Sequence, residues 1–311
     1  MPTRRQLLHG GAVSVAGAGA AAVLASCTPP PPAVPPRRYA TLQRQLNGYR
    51  RDLILNDHNG YASVNILQNV FGRAAWFPDG SSICIARGSL DDSQGTWALW
   101  VCRSDGSLLR AITSPAAGVA DLDPCVGLDG QTIVFCRDSV GFGTHTGIWI
   151  VQANGQGLHP VRGSDFGVSP SFSHDQKFIV YAAPDGIRRI PAAGGTPMLI
   201  ARGAFGWQLT QPTWSVANNR VAFIRRDAPG AASLCYVAGT GGRINVVLST
   251  PTQIECPTWG SDSTTLHYAR YEGFGSEGRG ATDVYRQAIG GPSVRIFRPF
   301  GPPATDLSTL P

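Results

Sequence analysis

Lysine is all but missing from this chain: Lys177 is the only one, so nearly all of the 26 basic residues are arginine. Charged residues of every kind make up only 15% of the sequence. The arginines are dispersed rather than gathered in blocks, which argues against a nucleic-acid surface. No C-x-x-C pair occurs, so neither a zinc ribbon nor a thioredoxin-like centre has support. The sequence also lacks a G-x-S-x-G nucleophile elbow, an H-E-x-x-H helix and a phosphate-binding P-loop. Gly273 to Gly278 matches G-x-G-x-x-G formally, but Asp283-Val284-Tyr285 beyond it reads as strand where a dinucleotide site needs a helix. Beyond His9 the histidines share no register. His267 falls at a packed position between repeat units, while His58, His145, His159 and His174 fall on turns or loops. No catalytic set, cofactor site or metal site is therefore demanded by the spacing, although a metal site assembled from distant loops stays open.

Glycine (38) and proline (24) are abundant, which points to many turns and little helix. The N-terminus is an address rather than part of a fold. Thr3-Arg4-Arg5-Gln6-Leu7-Leu8 resembles a twin-arginine export signal carried by Arg4 and Arg5. The Ala/Gly/Val stretch from Gly10 to Leu24 is too short and too weakly apolar to span a bilayer. It ends in Leu24-Ala25-Ser26-Cys27, which resembles a lipobox with Cys27 as the lipidated residue. Residues 1–26 are thus expected to be a signal peptide, and the formal charge of +6 falls to about +4 without Arg4 and Arg5. Residues 27–36 are proline-rich, favour extended polyproline II, and read as a short stalk.

Six cysteines follow Cys27: Cys84, Cys102, Cys125, Cys136, Cys235 and Cys256. An even count in an exported protein invites disulfides, and six allow fifteen pairings. Ile83-Cys84-Ile85 and Val134-Phe135-Cys136 instead set cysteine in apolar runs, as a small buried hydrophobe.

The strongest signal is a repeat. Five segments align without a gap over fourteen residues: AAWFPDGSSICIAR from Ala74, PCVGLDGQTIVFCR from Pro124, PSFSHDQKFIVYAA from Pro170, PTWSVANNRVAFIR from Pro212 and PTWGSDSTTLHYAR from Pro257. Their starts lie 50, 46, 42 and 45 residues apart. The third column carries Trp76, Val126, Phe172, Trp214 and Trp259. A turn follows, with Asp79-Gly80 and Asp129-Gly130 as clear hairpin chemistry and Asn218-Asn219 as a variant. The next strand alternates bulky residues (Ile83 and Ile85, Ile133 and Phe135, Ile179 and Tyr181, Val221 and Phe223, Leu266 and Tyr268) with mostly small ones such as Cys84, Ala86, Ala182, Ala222 and Ala269. A strand apolar on both faces must be covered on both. Further strands, Leu99 to Cys102 and Ile148 to Val151, lead through Asp105-Gly106 and Asn154-Gly155 to a fourth.

Four short strands per unit of about 45 residues describe a propeller blade. The proline, the aromatic and the turn, best kept in Ala75 to Gly80 and Pro170 to Asp175, resemble the WD-like repeats of TolB-type β-propellers over residues 74–297. The resemblance implies an all-β propeller over 37–311. Residues 37–73 and the tail after position 302 together amount to one further blade, with Asp52 to Leu67 as its outer half and Thr305 to Ser308 as its innermost strand. Six blades, closed by both ends of the chain, is the expectation; five is the alternative. Family members carry an α/β domain ahead of the propeller, and the 37 residues before the first full repeat are too few for one.

The fourteenth column would line the face on which propellers most often bind. It carries Arg87, Arg137, Arg225 and Arg270, with Ala183 in the remaining copy. Such a ring suits an acidic peptide or glycan, unless each arginine pairs with a neighbouring acid such as Asp91, Asp138, Asp227 or Glu272. Two loops beyond it hold Phe142 and Phe274 between glycines, as contact anchors or as loop closures. Asp121 and Asp123, before the second repeat, read as a cation site or as caps of their turn. The sequence thus points to a lipid-anchored envelope module that binds a protein. An extracytoplasmic enzyme acting on a carbohydrate or lactone, and a small-ligand sensor, are the alternatives.

Overall fold

The computed structural model describes residues 39–44, 51–56, 63–88, 95–139, 144–204, 206, 208–228, 230–274, 280–297 and 304–309. Arg4, Arg5, Cys27 and Phe142 lie outside these, and of Phe274 only the backbone lies within them. Every regular element among the described residues is a β-strand.

The first sheet holds β1 (Tyr39–Arg44), β2 (Arg51–Asn56) and β3 (Ser63–Gln68), and β24 (Ala304–Thr309) pairs antiparallel with β1. Two four-stranded units follow: β4 (Val70–Trp76), β5 (Ser82–Gly88), β6 (Trp97–Arg103) and β7 (Arg110–Ala111), then β8 (Val119–Val126), β9 (Thr132–Ser139), β10 (Thr144–Gln152) and β11 (His159–Pro160). A parallel bridge between Trp97 and Ala120 joins these two into one sheet. Three separate four-stranded sheets complete the chain. They are β12 (Val168–Phe172), β13 (Phe178–Ala183), β14 (Gly186–Pro191) and β15 (Met198–Arg202); β16 (Gln208–Trp214), β17 (Arg220–Ala228), β18 (Ala231–Ala238) and β19 (Asn245–Thr250); and β20 (Ile254–Trp259), β21 (Thr265–Phe274), β22 (Gly280–Ala288) and β23 (Ser293–Phe297). All run as antiparallel meanders.

The alternation in the second strand of each unit explains how the units stack. The small face of one meets the bulky face of the next. Cys84 and Ala86 share a core with Ile133 and Phe135. Val134 and Cys136 do so with Ile179 and Tyr181, Val180 and Ala182 with Val221 and Phe223, and Ala222 and Ile224 with Leu266 and Tyr268. On the other flank, Leu53 and Leu55 pack on Ile83 and Ile85. Each such bulky side chain contributes about 1.5–3 kcal/mol by leaving water, and together they make a chain of inter-sheet cores.

The hairpin turns follow their residues. Asp79 accepts the N–H of Ser81 at 3.0 Å, and Gly80 takes the left-handed conformation at φ 68°. Asp129 and Asp262 cap the corresponding turns through Thr132 and Thr265. Asn219 supplies the left-handed residue (φ 43°) in the variant turn, as asparagine tolerates.

Cys84, Cys102, Cys125, Cys136 and Cys235 are free thiols, and of the six cysteines after Cys27 only Cys125 is not buried. Burial pushes the thiols of Cys84 and Cys136 well above the ordinary range, and those of Cys102 and Cys235 up to about 11. They pack as small apolar groups, in line with their sequence setting.

Candidate functional site at the convergence of the inner strands

Each repeat begins on an inner strand, and each inner strand is broken by a bulge. The register shifts between Phe71 and Ala75, Leu122 and Cys125, Val168 and Ser171, Thr210 and Thr213, and Glu255 and Thr258. In every bulge one residue is left-handed: Gly72, Asp123, Ser169, Gln211 or Cys256. Four of these five are not glycine, and each of the four precedes a proline. Proline has no N–H for the ladder, so the gap in pairing at a bulge is where a strand can hold it.

The bulges also tie one unit to another. Asp123 accepts the main-chain N–H of Arg73 at 3.3 Å with one oxygen and the hydroxyl of Ser169 at 2.7 Å with the other. Gln211 Oε1 accepts the N–H of Cys256 at 2.7 Å. The Trp259 indole donates to the Thr213 carbonyl at 3.1 Å. Non-glycine residues held at positive φ cost about 1–3 kcal/mol each and persist where surrounding structure holds them; here these cross-unit bonds do so.

All five of these strands line one cavity of about 130 Å3, to which they bring Arg73, Trp76, Cys125, Ser171, Thr213 and Cys256. It shares Cys125, Val126, Leu128, Ser171, Thr213 and Thr258 with a second cavity of about 140 Å3 that reaches His174 and Val216 in the hairpin turns. That one shares Ser173, His174, Trp214, Ser215 and Val216 with a groove of about 340 Å3 bounded by Phe178, Arg189, Ala217 and Asn219. The three overlap in their lining residues, from the inner strands to the hairpin turns. Arg189 lies 4.7 Å over the Phe178 ring and donates to Gly239 O at 3.1 Å, which fixes one wall of the groove.

The arginine column sits at the other end, because Arg87 pairs with Val70 at the start of the inner strand. Arg137 makes a two-bond ion pair with the fully buried Asp121 (2.6 and 2.8 Å) and stacks 4.4 Å over Trp149. Arg225 makes a similar pair with Asp227 (2.6 and 3.1 Å) and reaches Ser233. Arg87 lies 5.6 Å over Trp100 and contacts Gln68 O at 3.4 Å. Arg270 lies 4.1 Å over Tyr285 and donates to its hydroxyl at 2.8 Å. The column therefore has a packing role in every unit that carries it: Arg87, Arg137 and Arg270 lie over an aromatic of the third strand, and Arg137 and Arg225 sit on carboxylates. Of the foreseen acidic partners, Asp227 takes its arginine; Arg137 pairs with Asp121, and Asp91 and the side chain of Glu272 lie outside the described residues. Asp121 and Asp123 are accordingly an ion-pair partner and an inter-unit latch. Among the described residues no three His, Cys, Asp or Glu side chains stand where they could hold a metal ion.

Sequence reasoning did not single out Arg73, Phe178 or Arg189. The bulges left one legible trace, the proline that opens four of the five repeats.

No family model matches this chain, and no curated protein does. Solved structures do. TolB from Acinetobacter baumannii superposes with a TM-score of 0.70 at 18% identity, over 88% of this chain and 67% of that one. The fold is a TolB-like β-propeller. Others of the same architecture are an oligogalacturonate lyase from Vibrio parahaemolyticus (TM-score 0.56, 10% identity, 83% of this chain and 79% of that one) and a periplasmic gluconolactonase from Pseudomonas aeruginosa (0.55, 12%, 88% and 98%). Identities this low carry the propeller fold and not an activity.

Proposed function

We propose that this chain is an exported, lipid-anchored, six-bladed β-propeller that serves as a protein-binding module of a bacterial cell envelope. Export and anchoring rest on Arg4-Arg5, the apolar stretch and Cys27. Two or three acyl chains on Cys27, at about 0.8 kcal/mol per buried methylene, would hold it where one chain barely would. Six blades are supported by the five four-stranded sets of β4–β23 together with the sheet of β24 and β1–β3, and by the contacts of β24 with both β20 and β4.

The observation that carries the binding role is the series of cavities with overlapping linings that leads from the inner strands to the groove at the hairpin-turn end. Its mouth offers aromatic wall, backbone and mixed polar groups, the composition of a surface that seats a loop or chain end of another protein. The arginine-bearing end is the second contact surface. There Arg87 and Arg270, with Phe142 and Phe274 in the adjoining loops, would meet an acidic peptide or glycan.

The rival reading, an enzyme acting on a carbohydrate or lactone, draws on the likeness to the lyase and the gluconolactonase. A crosslinking pull-down of the lipidated protein from its native envelope separates them. Ala217→Arg blocks the exposed lip of the groove, and Arg87→Glu with Arg270→Glu reverses charge at the opposite end. Loss of a specific captured protein with the first variant supports the groove, and loss with the second supports the arginine end. No captured protein, together with turnover of a sugar-acid polymer or lactone, would replace the binding role with the enzyme.

A further inference from the structure

We infer that the central cavity is a carboxylate-binding site built on Arg73 and Trp76. This does not depend on the partner being a protein. Arg73 Nη1 is buried and has no hydrogen-bond partner, and neither has the buried indole nitrogen of Trp76. Both residues line the same cavity of about 130 Å3. Trp259, which occupies the same repeat column as Trp76, satisfies its indole on the Thr213 carbonyl at 3.1 Å. The Trp76 environment therefore differs from that of Trp259 in the same column. Asp123, the carboxylate nearest in sequence register, is engaged by the Arg73 main-chain N–H and the Ser169 hydroxyl.

An indole nitrogen and a guanidinium nitrogen only donate. Leaving such groups buried without acceptors costs about 1–3 kcal/mol for the neutral one and more for the charged one. Ser171, whose oxygen accepts the Trp214 N–H at 3.2 Å, keeps its own proton to donate into the cavity it lines. The occupant that satisfies this set accepts only and carries negative charge. The planar guanidinium fork matches a carboxylate. Ala75, Pro124, Val126 and Pro257 on the walls suit a short carbon stem behind it. The volume is that of about four waters, enough for a carboxylate with two or three carbons. The carboxylate belongs either to a free short-chain acid or to the end of a peptide entering from the hairpin-turn end.

The test is fluorine NMR on the full lipidated protein in detergent, with 5-fluorotryptophan at its seven tryptophans and Trp76→Phe to assign the signal. The probes are sodium butyrate, the tripeptide Ala-Ala-Val as free acid and as amide, and sodium sulfate. The site predicts a saturable shift of the Trp76 signal with butyrate or the tripeptide acid. It predicts no shift with the amide, and binding at least about tenfold weaker in Arg73→Gln. Arg73→Lys, which keeps the charge but not the fork, falls between. Binding of butyrate as tight as the tripeptide acid identifies a free acid as sufficient; binding of the tripeptide acid alone identifies a chain end. Arg73→Gln should also melt at a higher temperature than the parent in buffer free of carboxylates, because it removes a buried unpaired group. No saturable shift with either acid, equal binding of sulfate, or an unchanged response in a folded Arg73→Gln overturns the assignment.

Discussion

Arg137 and Asp121 face each other across two paired strands, with the carboxylate wholly inside. Removing the cation alone would strand that carboxylate. Arg137→Met is therefore expected to lose about 3–5 kcal/mol in urea unfolding, and adding Asp121→Asn should return a good part of it. The choice of partner has a plain cause. Side chains alternate along a strand, so Asp138, next in sequence to Arg137, points to the opposite face. Asp227, two residues after Arg225, shares its face and takes its arginine. Proximity in sequence found one pair and missed the other because the second depends on strand register. Asp262 offers a pH test. Burial raises its carboxyl, but the Thr265 hydroxyl and the N–H groups of Thr264 and Thr265 together outweigh that and hold it at about 2. A depressed value in the fold adds stability above the unfolded value near 3.8, lost as pH falls toward 2. Asp262→Asn should cost about 0.5–1 kcal/mol at neutral pH, the scale of an exposed and screened charge interaction. The difference should close between pH 4 and 2 in a thermal melt followed by circular dichroism.

The strand elements were legible because two signals agreed: a period of two in the second strand of every repeat and a turn at a fixed offset before it. The bulged inner strands were not. A bulge changes pairing without changing composition, and the left-handed residues Asp123, Ser169, Gln211 and Cys256 have no common side-chain chemistry. Only the proline after each marks the gap. Gln211 allows a discriminating test, since glycine in a strand is ordinarily worse than alanine. At φ 53° the order should reverse. Gln211→Ala loses the bond to the Cys256 N–H and keeps the unfavourable backbone, whereas Gln211→Gly loses the same bond and releases it. Gln211→Gly is expected to be the more stable of the two by about 1 kcal/mol, read from denaturant midpoints at equal slope. Alanine as the more stable variant would mean that the backbone at 211 does not hold this conformation in solution.

At the scale of the whole molecule the repeat period told where each sheet begins, and the face alternation told that sheets stack. It did not locate a binding surface, because the central cavity is assembled from five strands that begin forty or more residues apart in sequence. The pairing of β24 with β1 brings the last described strand of the chain onto its first, and β24 also contacts β20 and β4. If that contact closes the propeller, a chain ending at Pro303 loses β24 and with it the eight residues 304–311. The edge of β1 is bared to pairing with other chains, and two inner strands lose the neighbour between them. The truncated protein should melt about 5 °C or more below the parent and associate with rising concentration in sedimentation velocity. A synthetic peptide of residues 304–311 added in trans should reverse both effects, because it refills the vacated edge. A truncated chain that melts with the parent and stays monomeric would leave β24 as an appendage, and the central cavity would then be open along one side.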